Sequence, residues 1–249
     1  EDSPGADTAE QTQSSVDEAK TIAYYDKVIA EQPTNDVAYN NRGLLYADME
    51  DHHRAIEDFN KSLELDPSDV IVHLNRGFSY FKTEQYQLAV DDANAALALD
   101  ESVDILGIRG VANFFLDQYQ KSIDDLIQDM EVHPTRNFHN IIGRSYSELE
   151  QDEEAINYYS QAIALDETNS VAYSNRGSSY NKLKDHGRAI EDLNRSIELS
   201  PDESSSPYRH RGDAFNGLGQ HQNAIEDFNK AIEMKPSYAE AYNGRGEAY

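Results

Sequence analysis

Tyr39-Asn-Asn-Arg-Gly-Leu-Leu-Tyr46, with Ala55, Phe59 and Pro67 behind it, is the stretch that decides the fold, because the chain repeats it. Arg-Gly recurs at Arg42-Gly43, Arg76-Gly77, Arg109-Gly110, Arg176-Gly177, Arg211-Gly212 and Arg245-Gly246, and Ile142-Gly143 fills the one gap. Successive glycines lie 34, 33, 33, 34, 35 and 34 residues apart. Self-similarity at a period of this length is the signature of a repeat architecture. Twelve residues after each of the first six glycines stands a small side chain: Ala55, Ala89, Ser122, Ala155, Ala189 and Ala224. That interval is constant, whereas the gap from Pro67, Glu101, Pro134, Glu167, Pro201 or Pro236 to the next glycine runs from 9 to 11. A constant interval inside the repeat and a variable one between repeats describe a helical hairpin joined to its neighbour by a loop. Proline at the end of the second helix stops it, because the ring lacks an amide hydrogen and disfavours a helical residue before it.

Within residues 36–69, Tyr39, Gly43 and Tyr46 share one side of a first helix, A. Ala55, Ile56, Phe59 and Leu63 share one side of a second, B. The glycine and alanine let the two helices approach, and the aromatics fill what remains. One hairpin cannot bury this face alone, so neighbouring repeats must complete the core.

This pattern of aromatic, small, aromatic, then small, aromatic and proline resembles the tetratricopeptide repeat, in an Arg-Gly style similar to bacterial members. The resemblance covers 36–69, 70–102, 103–135, 136–169, 170–204 and 205–238, with a partial repeat at 17–35 and a half repeat at 239–249. It implies an all-α fold, a right-handed α-solenoid of stacked antiparallel helix pairs. Residues 1–16 are acidic, polar and nearly free of large apolar groups, which predicts a disordered leader. Repeat 103–135 departs most from the pattern: Asn113 replaces an aromatic, and Gly107 and Gly110 both weaken helix A, making it the expected place for a bend.

Sixteen residues after each repeated arginine stands an aspartate, pairing Arg42 with Asp58, Arg76 with Asp92, Arg109 with Asp125, Arg176 with Asp192 and Arg211 with Asp227. The repeat with Ile142 instead of arginine has Tyr158 instead of aspartate. Such internal covariation predicts structural ion pairs between helices A and B rather than a ligand-binding ladder. His52, His186 and His221 share one repeat position with Tyr86 and Tyr119, so they are read as fillers between helices, and no metal site is expected.

The composition narrows the function. A net charge of −26, with no basic cluster, argues against nucleic acid and anionic membranes. The chain has no cysteine, which excludes disulfides and thiolate chemistry. No apolar run is long enough to span a membrane, so no insertion is expected. No phosphate loop, nucleophile elbow or metalloprotease helix is present, so neither an enzyme nor a cofactor is expected.

The resemblance implies instead a concave groove lined by helix A that binds a protein or peptide. The implied lining is Asn40, Asn41, Ile71, Leu74, Asn75, Phe78, Phe81, Phe114, Phe115, Asn140, Arg144 and Asn175. Asparagine offers both a carbonyl and an amide, and so suits both backbone groups of an extended peptide. The lysines of the family's clamp for chaperone tails are missing: Asn40, Asn140 and Ser174 stand where one would be. Two alternatives accompany the scaffold reading, namely self-association through the half repeat at 239–249 and a regulatory segment of a larger protein. The acidic leader and the lack of cysteine lean toward an exported or envelope protein, with the cytoplasm as the alternative.

Overall fold

A computed structural model describes residues 20–249, all helix and connecting turns. The expected leader at 1–16 lies outside those residues. Helical backbone runs through residues 20–31 (α1). Then follow α2 (Asp36–Asp48), α3 (His52–Leu65), α4 (Val70–Lys82), α5 (Tyr86–Leu99), α6 (Leu106–Phe115), α7 (Tyr119–Val132) and α8 (His139–Glu148). The rest are α9 (Asp152–Leu165), α10 (Ser170–Lys182), α11 (His186–Leu199), α12 (Ser206–Gly217), α13 (His221–Met234) and α14 (Ala239–Ala248). Even-numbered helices from α2 onward are helix A of the repeats, and odd-numbered ones from α3 are helix B. The residues form two compact units, one ending at Asp117 and the other beginning at Gln118, so the division falls inside repeat 103–135. In each unit, helices consecutive in sequence pack against one another.

The constant interval has a local cause. The residue seven places after each glycine takes the left-handed conformation: φ is 60° at Glu50, 60° at Glu84, 58° at Asp117, 59° at Glu150, 63° at Lys184 and 69° at Gly219. In α2 the Glu50 N–H bonds to the Ala47 carbonyl at 2.9 Å and the Asp51 N–H to the Tyr46 carbonyl at 2.8 Å. This is a Schellman closure, which satisfies the last carbonyls of helix A and turns the chain in three residues. The same pair of bonds closes α4, α8, α10 and α12. Asp51 and Asp185 then cap the next helix B by accepting from the Arg54 and Arg188 amides. Each helix B from α3 to α13 has 14 residues, while helix A varies from 10 to 13.

The small residues sit where the helices nearly touch. Ala55, Ala89, Ser122, Ala155, Ala189 and Ala224 are all 0% exposed. A Cβ on Gly43 would lie 2.7 Å from the Phe59 ring, and one on Gly143 would lie 2.6 Å from the Tyr159 ring. Glycine is what admits a buried aromatic from helix B at these two places. Two of the three histidines fill the space between helices: His52 meets Phe78 edge-on at 6.0 Å, and His186 lies against Gly217, whereas His221 is exposed.

Candidate functional site

Four of the five predicted ion pairs are formed in full. Asp58 accepts from Arg42 Nε at 2.8 Å and Nη2 at 2.6 Å. Asp92 accepts from Arg76 at 2.7 and 2.7 Å, Asp192 from Arg176 at 2.7 and 2.8 Å, and Asp227 from Arg211 at 2.8 and 2.7 Å. These two-pronged contacts are the strong form of the charge-assisted hydrogen bond. The carboxylates are buried. The Asp58 hydrogen bond is the main cause that raises the Arg42 guanidinium above its usual value, against an opposing effect of burial. The fifth predicted pair, Arg109 with Asp125, has one partner in each compact unit and stays an expectation.

Sequence reading missed a third partner. The remaining Nη1 of each arginine reaches the preceding helix B: Arg42 to Asp26 at 2.6 Å, Arg76 to Asn60 at 2.8 Å, and Arg109 to Asn94 at 2.8 Å. Further along, Arg176 reaches Ser160 at 2.9 Å, Arg211 reaches Asn194 at 2.6 Å and Arg245 reaches Asn229 at 2.6 Å. The signal was present as Asp-x-Asn in Asp58-Phe-Asn60, Asp92-Ala-Asn94, Asp192-Leu-Asn194 and Asp227-Phe-Asn229. Repeat 103–135 has Ile127 in place of that asparagine, and the next repeat has Ile142 in place of the arginine. Three positions therefore change together. Ile142 is fully buried, and Tyr158 stacks on Tyr146 with centroids 5.4 Å apart. The arginine row is thus a tie between hairpins.

The expected groove residues divide between the two units. In the unit ending at Asp117, Ile71, Phe78 and Phe115 are exposed at 61%, 40% and 51%. Asn40, Asn41, Leu74 and Asn75 are half-buried, and Asn75 Nδ2 donates to Asn40 Oδ1 at 3.1 Å, linking adjacent A helices. Val37, one repeat before Ile71, is exposed at 56% and belongs with this stripe; its position in the repeat was the available signal. Two expectations need correction. Phe114 is 7% exposed and belongs to the core, not to an open groove. Phe81 is half-buried and packs with Ala89, Val90 and Ala112. Both occupy the twelfth position of their repeats, where other repeats use the side chain to join A helices: Asn181 donates to the His210 carbonyl at 2.7 Å and Asn216 to the Gly244 carbonyl at 2.9 Å. That position is a seam, so a phenylalanine there turns inward. Tyr86 completes the patch by stacking on Phe115 at 4.6 Å.

In the unit beginning at Gln118, Asn140 is half-buried with its Oδ1 buried and unpartnered. Arg144 and Asn175 line an open hollow of about 450 Å³ together with Ser178, Lys182 and His210. Among the described residues, no helix is long and apolar enough to cross a membrane.

The tetratricopeptide repeat family model matches residues 37–69 and 170–203, and a second model of the repeat matches 143–184 and 212–249, together more than half of the chain. The heat shock protein sti1 homolog of Schizosaccharomyces pombe is 48% identical over 48 residues, which are 19% of this chain and 8% of that protein, so the match spans only a small part of it. The C-terminal part of a TPR repeat-containing protein from Cytophaga hutchinsonii superposes with a TM-score of 0.64 at 16% identity, covering 95% of this chain and 98% of that one. Pseudomonas aeruginosa pilF gives 0.64 at 16% identity, covering 85% and 97%. At such identity these likenesses show the fold alone. Register, hairpin geometry and family models agree: the chain belongs to the tetratricopeptide repeat family.

Proposed function

We propose that this chain is a non-enzymatic scaffold that holds an extended peptide segment along the A helices of the unit ending at Asp117. The tetratricopeptide fold is a scaffold for protein–protein interaction, and the reading adds a place to it. The observation that carries it is the row of exposed Val37, Ile71, Phe78 and Phe115 beside the linked Asn40 and Asn75 amides. Large apolar side chains held open on adjacent helices cost solvation without adding to the core, which marks a partner surface. The Asn40–Asn75 bond uses Asn75 Nδ2 and Asn40 Oδ1, and so leaves the Asn40 amide and Asn75 Oδ1 for a peptide backbone. The unit's acidic balance favours a neutral or basic segment with apolar anchors.

A random twelve-residue peptide library selected on the wild-type chain tests this. Enriched peptides are expected to bind the Ile71→Asp/Phe78→Asp/Phe115→Asp variant at least about tenfold more weakly, because those side chains supply the apolar contact. Circular dichroism should be unchanged, since all three residues are exposed. Equal affinity for both proteins would remove the proposal.

A further inference from the structure

The two exposed phenylalanines of the stripe sit in different electrostatic surroundings. Phe78, on α4, already carries a cation, because the Lys82 ammonium lies 5.3 Å from its ring centroid. His52 meets the same ring, and burial followed by the Lys82 charge holds that imidazole below its usual value. Over Phe115, on α6, no cation stands among the described residues. One face of its ring lies flat on Tyr86, with 4.6 Å between centroids and 10° between planes, and Phe114 meets it edge-on at 5.5 Å. The ring is still 51% exposed, so its other face is in solvent. Phe81 packs edge-on against Tyr86 at 5.8 Å and braces the stack.

The charge beside this stack is negative. Glu84 lies in the turn between α4 and α5, is exposed, and its carboxylate has no hydrogen bond or ion pair among the described residues. The Tyr86 phenol is held above its ordinary value first by burial and then by Glu84. Lys82 acts on His52 and not on Tyr86. The Tyr86 hydroxyl, too, has no partner among the described residues. The unit's own cations are engaged elsewhere: Arg42, Arg54, Lys61 and Arg76 each sit on a carboxylate, and Lys82 sits over Phe78.

We infer that the Tyr86–Phe115 stack seats an arginine side chain of the bound segment, its guanidinium lying on the open face of Phe115 and paired with Glu84. A planar guanidinium continues a parallel stack, which the compact ammonium of lysine cannot do. The electron-rich face of the ring attracts the cation. The carboxylate of Glu84 and the hydroxyl of Tyr86 can both accept its N–H groups. A neutral ring or aliphatic chain would use the Phe115 face and leave Glu84 unpaired. The inference rests on the stripe as a peptide site and orients the segment on it. The arginine lies at the Phe115 end, while Phe78, where Lys82 already stands, takes an apolar residue.

The test is an NMR titration of the full chain, with isotope-labelled phenylalanine and tyrosine rings, against N-acetyl-arginine methylamide. The lysine and citrulline compounds run in parallel, since citrulline keeps the planar shape and loses the charge. The expected result is a saturable shift of the Phe115 and Tyr86 ring signals, with the δ-methylene protons of the arginine compound moved upfield by the ring current. The lysine and citrulline compounds should bind at least about threefold more weakly. Phe115→Leu and Glu84→Gln should each weaken the arginine compound by about threefold, and rising salt should weaken it further. Both variants alter exposed residues, so their circular dichroism should stay that of the wild type. Ile71→Ser/Phe78→Ser should lose the library peptides yet bind the arginine compound like the wild type. Library peptides indifferent to that variant would remove the peptide-site reading. The arginine seat falls separately, if lysine or citrulline binds as tightly as arginine, if Phe115→Leu or Glu84→Gln keeps wild-type affinity, or if no saturable shift appears.

Discussion

Replacing Asp192 by alanine tests whether the arginine row is a tie between hairpins. Asp192 is 7% exposed and accepts two hydrogen bonds from Arg176, whose side chain is 19% exposed and whose third contact goes to Ser160. Removing the carboxylate leaves a largely buried guanidinium with one protein partner. Breaking a buried pair from one side costs about 3–5 kcal/mol, and the partial exposure of Arg176 places this case near about 3. The change also removes the main cause that raises the Arg176 pKa, yet a guanidinium stays protonated at neutral pH without it, so the arginine cannot escape by losing a proton. For a unit of this size, about 3 kcal/mol corresponds to a fall in Tm of about 10 °C. Thermal unfolding by circular dichroism should show it, with Glu191→Ala, an exposed carboxylate one residue away, as the control. The triple change Ser160→Ile/Arg176→Ile/Asp192→Tyr copies the chain's own alternative at Ile127, Ile142 and Tyr158 and should recover at least half of the loss. A melting curve for Asp192→Ala no different from that of Glu191→Ala would refute the tie.

Two further expectations rest on backbone and charge. The left-handed conformation at Glu84 costs about 1–2 kcal/mol for a residue with a Cβ, and glycine there gives back about 0.5–1 as lost chain entropy. Glu84→Gly should therefore raise the urea midpoint slightly, and Gly219→Ala, at the equivalent position, should lower it; opposite signs would remove the closure argument. His210 and Asp213 should tilt the stability–pH curve in opposite directions. The imidazole is pushed down to about 3, so its stabilising neutrality is complete above the unfolded value near 6.5 and is lost as pH falls through that range. Asp213 is raised to about 6, first by burial and then by Glu247, with Arg209 opposing, so its contribution grows as pH falls from about 7 toward 4. As pH falls from 7 to 5, the urea midpoint of His210→Gln should climb relative to that of the wild type, and the midpoint of Asp213→Asn should drop relative to it. Parallel curves for all three would contradict both assignments.

The repeat register was legible because it rests on sterics that admit few residues. Gly43 and Gly143 must lack a Cβ to admit Phe59 and Tyr159, and Ala55 and Ala155 must be small where the helices touch. The ion pairs were legible because a buried charge needs a partner at a fixed distance along the chain. The Schellman closure was not: five of its six left-handed positions carry Glu, Asp or Lys, which announce nothing, and only Gly219 obeys the usual preference. The fate of Phe114 was not legible either. Phe114 and Phe115 are adjacent, and only the way the seam at the twelfth position is filled turns one inward and leaves the other in solvent.

The same reasoning says where recognition should be sought. A polar residue that recurs at one register is, in case after case, consumed by the fold: Arg42, Arg76, Arg176 and Arg211 each donate three hydrogen bonds to two residues, the asparagines after Asp-x hold the next arginine, and Asn181 and Asn216 hold the next backbone. Each has little left for a ligand. The ninth position, one residue after the glycine, behaves in the opposite way. It reads Leu44, Phe78, Val111, Arg144, Ser178 and Asp213, different in every repeat. Packing that demanded one side chain there would have selected one, as it did at Ala55 and its equivalents. The position is apolar through Val111 and polar from Arg144 onward, so the change in character follows the division between the two compact units. Phe78 belongs to the exposed stripe, and Arg144 and Ser178 line the open hollow. A scaffold whose hairpins are held by recurring ties is free to vary its ninth position, and that freedom is what a recognition surface requires.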